Sequence, residues 1–313
     1  MKVFISAHKG RKTMPHVDQH TQVVGLLGYP LHHSFSPSMH NAAFEALNLN
    51  YVYIPLPVPP GRLSEAIQGL RALNLIGANV TIPHKEEIIP FLDYVTEEAQ
   101  LAGAVNTLFW TEDGYLVGDN TDVEGFRRTL KQWQIDLEGR TAAIIGSGGA
   151  ARAVAVALAR TGVKEIIFWA RRYEAVQRVI EDLQPLFPEL VWSSHTKSTP
   201  VWADDLTRTS LLVNASPAGM FPHIDDTPLS RSLLGMLPEG AHVYDLVYNP
   251  MQTLLLKTAK ELGTLHTHSG VDMLVYQGAV AFERWTGQSP SVDLMRRVVQ
   301  DRLGLQLTDS EKI

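Results

Sequence analysis

A chain of 313 residues with 45% hydrophobic and 19% charged side chains is long enough for two domains and too ordinary in composition to be disordered throughout. Its formal charge of −6, from 27 basic and 33 acidic residues, argues against the basic face that bulk nucleic-acid binding needs. It has no cysteine, which excludes disulfides, thiolate nucleophiles, Cys-ligated zinc and iron–sulfur clusters, and no apolar run nears the roughly 18 residues of a membrane span.

Residues 1–20 mix Lys2, Lys9, Arg11 and Lys12 with histidines and lack an apolar h-region. They read as a flexible extension and not as a secretory signal, with Val3–Ser6 as an alternative edge strand, and a cytoplasmic location is the default expectation. Val23–Gly28 then reads as a buried strand. Ser36 and Pro37 open a helix through Leu47, with Ser36 expected as its cap. Strands follow at Tyr51–Leu56 and Ile76–Ile82, separated by a helix over Leu63–Leu73. Further helices are expected over Glu86–Val95 and Glu97–Ala102. Val105–Trp110 and Tyr115–Gly118 flank the turn residues Asp113 and Gly114 as a hairpin.

A second block begins near Asp122. Val123–Trp133 is helical, Thr141–Ile145 is a short apolar strand, and a glycine loop leads into a helix to Thr161. Strands at Glu165–Ala170, Leu211–Asn214 and His242–Leu246, with a helix over Tyr173–Leu183, continue the alternation expected of a doubly wound parallel sheet. Two helices, Met273–Trp285 and Val292–Leu303, end the chain.

The loop Gly146-Ser147-Gly148-Gly149-Ala150-Ala151 sits between strand and helix, as a dinucleotide-binding loop must. Gly146 permits the tight turn, Gly148 lets amides approach a pyrophosphate, and the helix N-terminus favours the negative charge. Ala151 stands at the third fingerprint position. An NAD site would usually place an acid after the next strand to hold the ribose 2′-hydroxyl. Residues 168–172 hold none; Arg171 and Arg172 are there, and guanidinium forks suit the 2′-phosphate of NADP. Arg171 is the expected main contact, with Arg172 assisting.

The first block holds polar clusters at Ser34–Pro37, Asn79–Lys85, Ala104–Thr107 and Gly118–Asp122, mostly at strand ends or loop starts. Each alone is ordinary turn and cap chemistry. Together they suit a small ligand with several hydroxyls, with Lys85 able to donate a proton and Asp122 able to accept one or orient the lysine.

The order and spacing of these clusters resemble the shikimate dehydrogenase family from about Val23 to Gly304. Gly28 to Asn41, Gly77 to Glu86, Gly103 to Thr107 and Gly118 to Asp122 carry the likeness in the first half. Asn214 to Met220, Asp245 to Pro250 and Gly270 to Gly278 carry it in the second. The resemblance implies an N-terminal α/β substrate domain, a doubly wound Rossmann-type NADP domain, and C-terminal helices returning to the first. The expected boundaries are 21–122 with 270–313 for the substrate and 123–269 for the cofactor. It implies reversible reduction of the 3-keto group of 3-dehydroshikimate by NADPH, in aromatic amino-acid biosynthesis, by a monomer or homodimer without nucleic-acid or membrane partners. Ser34 and Ser36 would hold the substrate carboxylate. Asn79, Thr81, Asn106 and Gln277 would meet ring hydroxyls or orient their neighbours. Lys85 and Asp122 would form the catalytic pair, and Tyr248 would lie at the substrate–cofactor junction. Ala215, Met220 and Gly270 would border the cofactor beside the glycine loop. The family's usual Asn-Arg-Thr after the second strand of the cofactor domain reads Ala170-Arg171-Arg172 here, and Ser147 replaces a commoner alanine. The pairs His16/His20 and His266/His268 lack a third ligand in sequence, so no metal is expected.

Overall fold

Two six-stranded sheets carry the apolar runs in the computed structural model, which describes residues 17–32, 34–196 and 202–310, with side chains to 304. The expected Val3–Ser6 strand and His16 lie outside the described residues. The first sheet is built from β1 (Gln22–Gly28), β2 (Tyr51–Pro57), β3 (Gly77–Val80), β4 (Tyr94–Val95), β5 (Thr107–Trp110) and β6 (Leu116–Asp119), in the order β2-β1-β3-β5-β6-β4. It is mixed: β5 runs antiparallel to both β3 and β6 as the expected hairpin. Between these strands run α1 (Ser36–Ala46), α2 (Leu63–Ala72) and α3 (Glu97–Ala102), and α4 (Thr121–Gln132) follows β6.

The second sheet contains β7 (Thr141–Ile145), β8 (Glu165–Trp169), β9 (Val191–His195), β10 (Thr209–Asn214), β11 (His242–Asp245) and β12 (His266–Ser269). Its order is β12-β11-β10-β7-β8-β9 and every pairing is parallel. The strand order reverses between β7 and β10, which is where open α/β sheets form their ligand crevice. Helices α5 (Gly149–Ala159), α6 (Tyr173–Leu183), α7 (Trp202–Arg208), α8 (Arg231–Leu234) and α9 (Leu254–Leu262) cover it. Strand residues alternate between its two faces: Ile144, Ile166 and Val213 pack with α4, α5 and α6, while Ile145, Ile167 and Leu212 pack with α7, α8 and α9. Burial on both faces explains the unbroken apolar composition of β7.

After β12 the chain returns to the first sheet. α10 (Val271–Thr286) and α11 (Val292–Ser310) pack with α1 against Val24, Leu26 and Tyr53. α10 also lies close along α4, and a Cβ added at Gly125 would come 2.7 Å from the Gln277 amide nitrogen.

Two expectations change, and two edge strands are added. Ser36 is not the cap of α1; Phe35 is, without a side-chain cap bond, and Ser36 is the first helical residue. The helix expected over Glu86–Val95 is a series of turns with a short 3-10 segment, Ile89–Phe91, followed by β4. Pro90 lacks an N–H and would clash with the carbonyl four residues back, so a helix cannot run through it. Edge strands β9 and β12, with sequences VWSSH and HTHS, are too polar to read as buried strands.

Buried histidines make acid a specific threat to this core. His40 is 0% exposed between Tyr53 and Phe282, and burial holds its pKa down to about 3. The partly exposed His268 is also depressed to about 3, by burial and then by His242 and His266. An unfolded histidine takes its proton near 6.5, so this stability is complete above that pH and is lost as pH falls towards 3. Each contributes a slope of up to about 1.4 kcal/mol per pH unit, less for His268 with its solvent access. Asp245 opposes them: burial raises its carboxyl to about 6, so its destabilising effect at neutral pH is relieved as pH falls from 6 to its ordinary value. Urea midpoints between pH 7 and 5 should fall with acid. His40→Phe, which keeps a ring in the stack, should flatten that slope by about 1 kcal/mol per pH unit. An unaltered slope in the variant rules His40 out as the cause.

Candidate active site

The crevice at the strand reversal is a cleft of about 740 Å³ between β7 and β10. Gly146 turns the chain there at φ 134, and a Cβ on it would lie 2.8 Å from the Ala215 carbonyl, so both conformation and space require glycine. The Gly146 amide donates to the Trp169 carbonyl at 3.0 Å and the Ala215 amide to the Ile145 carbonyl at 2.8 Å, tying three strand ends together. Gly148 caps α5, and a Cβ built on Gly148 or Gly149 meets nothing within 4 Å. Open space thus stands over the unpaired first-turn amides of α5, where an anion is favoured.

Gly146, Ser147, Gly148, Ala215 and Met220 line this cleft, as do Arg171 and Arg172. Both arginines are exposed, and neither guanidinium has a hydrogen-bond or ion-pair partner among the described residues. No acid occupies 168–172, and Ala170 between Trp169 and Arg171 is buried. The donor set fits a dinucleotide with a 2′-phosphate: glycines and a helix N-terminus for the pyrophosphate, free guanidinium forks for the extra phosphate.

A second cavity, of about 470 Å³, lies against the C-terminal ends of β1 and β3. Met220 borders both spaces. All the substrate-side residues named from sequence line this second cavity: Ser34, Ser36, Asn79, Thr81, Lys85, Asn106, Asp122, Tyr248 and Gln277. Ala150 and Gly270, named above as cofactor neighbours, line it too, whereas Gly149 lines neither space. A Cβ at Gly270 would overlap the Leu246 carbonyl, which explains the glycine where the chain re-enters the first sheet's helices.

Lys85 and Asp122 come from distant segments. The Lys85 carbonyl accepts from the Val105 amide at 2.8 Å, which fixes the turn that carries the lysine. Asp122 lies in the first turn of α4, whose cap Asn120 accepts from the Asp122 amide at 3.1 Å. Lys85 Nζ stands 2.6 Å from Asp122 Oδ2, with side-chain exposures of 31% and 14%. An ammonium so placed can donate to a ligand oxygen while the carboxylate holds it. His84, beside the lysine in sequence, is fully buried with Nε2 2.7 Å from the Val58 carbonyl and lines neither space. Tyr248 meets Phe35 edge-on at 5.8 Å, and burial raises its hydroxyl pKa.

Asp119, Thr107 and Thr121 sit inside quoted clusters without an assigned part. The buried carboxylate of Asp119 accepts from Thr96, from the Asn120 amide and from Arg284 of α10, so it locks the turn into α4. A buried acid at a strand end is itself a signal of such a lock, since an unpaired one would be costly. Apolar lining residues such as Leu26 and Met273 carry no sequence signal that separates them from core.

Among the described residues no helix is long and apolar enough to cross a membrane, and no group of three or more His, Cys, Asp or Glu could hold a metal.

Comparison with known proteins agrees with this geometry. The profile of the shikimate dehydrogenase substrate binding domain matches residues 26–108, and that of the shikimate 5'-dehydrogenase C-terminal domain matches residues 270–300. A shikimate dehydrogenase (NADP(+)) of Thermosynechococcus vestitus is 44% identical over 294 residues, covering 94% of this chain and all of that protein. The shikimate 5-dehydrogenase of Listeria monocytogenes, solved with shikimate and NAD, superposes with a TM-score of 0.85 at 35% identity, covering 92% of this chain and 100% of the other. That of Thermus thermophilus, solved with NADP(H) and shikimate, gives 0.78 at 35% identity over 90% of this chain and 99% of its own. With two-fifths or more of its residues identical to a full-length member, and with that fold, the chain belongs to the shikimate dehydrogenase family.

Proposed function

We propose that this chain catalyses the reversible, NADPH-dependent reduction of 3-dehydroshikimate to shikimate. One observation carries the proposal: a single cavity gathers the hydroxyls, carboxamides and Lys85–Asp122 pair and meets, at Met220, a cleft shaped for a 2′-phosphorylated dinucleotide. In this reading residues 21–122 and 270–313 hold the substrate and residues 123–269 hold the cofactor.

NADPH, when bound, supplies the hydride. The chain's own residues do the rest. Ser34 and Ser36, at the start of α1, hold the carboxylate. Asn79, Thr81, Asn106 and Gln277 fix the ring through its hydroxyls, so that the carbonyl oxygen faces Lys85 Nζ. As that oxygen gains negative charge, the Lys85 ammonium stabilises it and delivers the proton. Asp122 keeps the ammonium aimed. Tyr248 and Met220 form the wall at which substrate and cofactor meet, and the apolar residues around them keep water from the reacting atoms.

The test is the reverse reaction, followed at 340 nm with each pairing of shikimate or quinate with NADP⁺ or NAD⁺. Turnover should be strong with shikimate and NADP⁺ and weak with the other pairings. Equal turnover of quinate would overturn the substrate assignment, and equal use of NAD⁺ the cofactor assignment. No turnover with any pairing would overturn the enzymatic reading.

A further inference from the structure

His40 and Asn41 belong to the opening cluster, yet neither lines the substrate cavity or the cofactor cleft. Both grip one residue, Tyr53 of β2. Asn41 Nδ2 donates to the Tyr53 carbonyl at 2.9 Å, and Asn41 Oδ1 accepts from the Tyr53 amide at 2.8 Å. The His40 ring lies flat against the Tyr53 ring, with centroids 4.6 Å apart and planes 12° from parallel. Tyr53 is 1% exposed, and its hydroxyl donates to Asn79 Oδ1 at 2.8 Å.

This bond fills one lone pair of Asn79 Oδ1, and the Asn106 carbonyl fixes the polarity of the amide. Its Nδ2 gives both hydrogens to the protein, one to the Asn106 carbonyl at 3.1 Å and one to Thr107 Oγ1 at 3.0 Å. A flipped amide would set two carbonyl oxygens against each other, so Asn79 can offer a ligand only the second lone pair of Oδ1. Asn106 has the opposite polarity. Its Oδ1 accepts from the Thr121 amide at 2.8 Å and lies within 3.1 Å of the hydroxyls of Thr107 and Thr121. Its Nδ2 has no partner among the described residues, and the residue lines the cavity.

We propose that Tyr53 is a positioning residue that holds Asn79 as a hydrogen-bond acceptor, and that the acceptor of Asn79 beside the donor of Asn106 selects for a ring hydroxyl. Such a hydroxyl donates to Asn79 Oδ1 and accepts from Asn106 Nδ2. A ketone or ether at that position has no hydrogen to give and leaves Asn79 unmatched. This inference rests on the functional reading above and adds the direction of each bond and the residue that anchors the acceptor.

Tyr53→Phe tests it, because the ring, its stack on His40 and the Asn41 clamp all survive. Steady-state constants would be measured with NADP⁺ for shikimate, 4-deoxyshikimate and 5-deoxyshikimate, alongside the melting temperature. The expected result is a rise of about tenfold in the KM for shikimate, with kcat within about threefold and the KM for NADP⁺ unchanged. The analogue lacking the hydroxyl that meets Asn79 should show equal KM in wild type and variant. A structural defect would instead raise KM for all three compounds alike, which overturns the proposal, as does an unchanged KM for shikimate. Should Tyr53→Phe fail to fold, Asn106→Asp removes the free donor, and the same single analogue should be the one it does not affect; an equal effect on all three again overturns the proposal. A wild-type chain that does not oxidise shikimate overturns the functional reading itself, a result distinct from either.

Discussion

Replacing Lys85 with alanine lowers kcat for shikimate oxidation by at least about a hundredfold, the low end for acid–base help by a positioned side chain. The effect should fall on kcat because, in the proposed mechanism, the charge that Lys85 meets on the substrate oxygen is largest in the transition state. KM should change less, since in that mechanism the carboxylate and the other ring hydroxyls keep their partners at Ser34, Ser36, Asn79 and Asn106. Folding is little affected: the Lys85–Asp122 pair is partly open to solvent, at 31% and 14%, and such a pair contributes at most about 1 kcal/mol. A melting temperature within a few degrees of wild type therefore separates lost chemistry from lost structure. Asp122→Asn should lose less than Lys85→Ala, because the ammonium remains and only its aim is weakened. Single-turnover rates would check both. A kcat within threefold of wild type for Lys85→Ala would remove the lysine from the proton transfer.

Much of this was legible in the sequence because local physics dictated it. β7 followed by Gly146 could be little else than a strand entering a tight turn, and the structure shows why: positive φ and the Ala215 carbonyl leave no room for a side chain. The alternation of strands and helices carried the doubly wound sheet. The polar clusters marked the cavity because hydroxyl and carboxamide groups recur at strand ends, where backbone ladders stop and ligands can enter. What the sequence hid is relational. Nothing local marks Tyr53 as the residue that orients Asn79, since a tyrosine on an apolar strand reads as core, and only the need of its buried hydroxyl for a partner hints at more. Asp119 and Arg284 are 165 residues apart and meet only because α10 returns to the first sheet. The edge strands β9 and β12 were hidden for another reason: with one neighbour each they tolerate serine, threonine and histidine where a central strand would not. The segment Glu86–Val95 shows the converse case: it reads as a helix, and Pro90 breaks it.

Arg171→Ala should cut the NADPH-over-NADH ratio of kcat/KM by about ten- to hundredfold, the equivalent of roughly 1.5–3 kcal/mol for hydrogen bonds to a charged group. Arg171 lies two residues past the end of β8, lines the cofactor cleft, and has no partner among the described residues to hold its guanidinium elsewhere. A 2′-phosphate there also lies near the first turn of α6, which begins at Tyr173, so the helix N-terminus adds to the attraction. Arg172 precedes that helix and shares the cleft, which limits the loss on removing one arginine and makes Arg172→Ala the milder change. Ala170 has no polar side chain to contribute, so the two guanidiniums and the helix N-terminus carry the preference. The loss should appear as a raised KM for NADPH, with kcat at saturation and the NADH constants nearly unchanged, because Arg171 lies in the cofactor cleft and not in the cavity that holds Lys85. Because both guanidiniums are exposed, the wild-type preference should also shrink as ionic strength rises, while that of Arg171→Ala responds less. A variant that keeps the wild-type ratio at low salt would transfer the selection to some other part of the cleft.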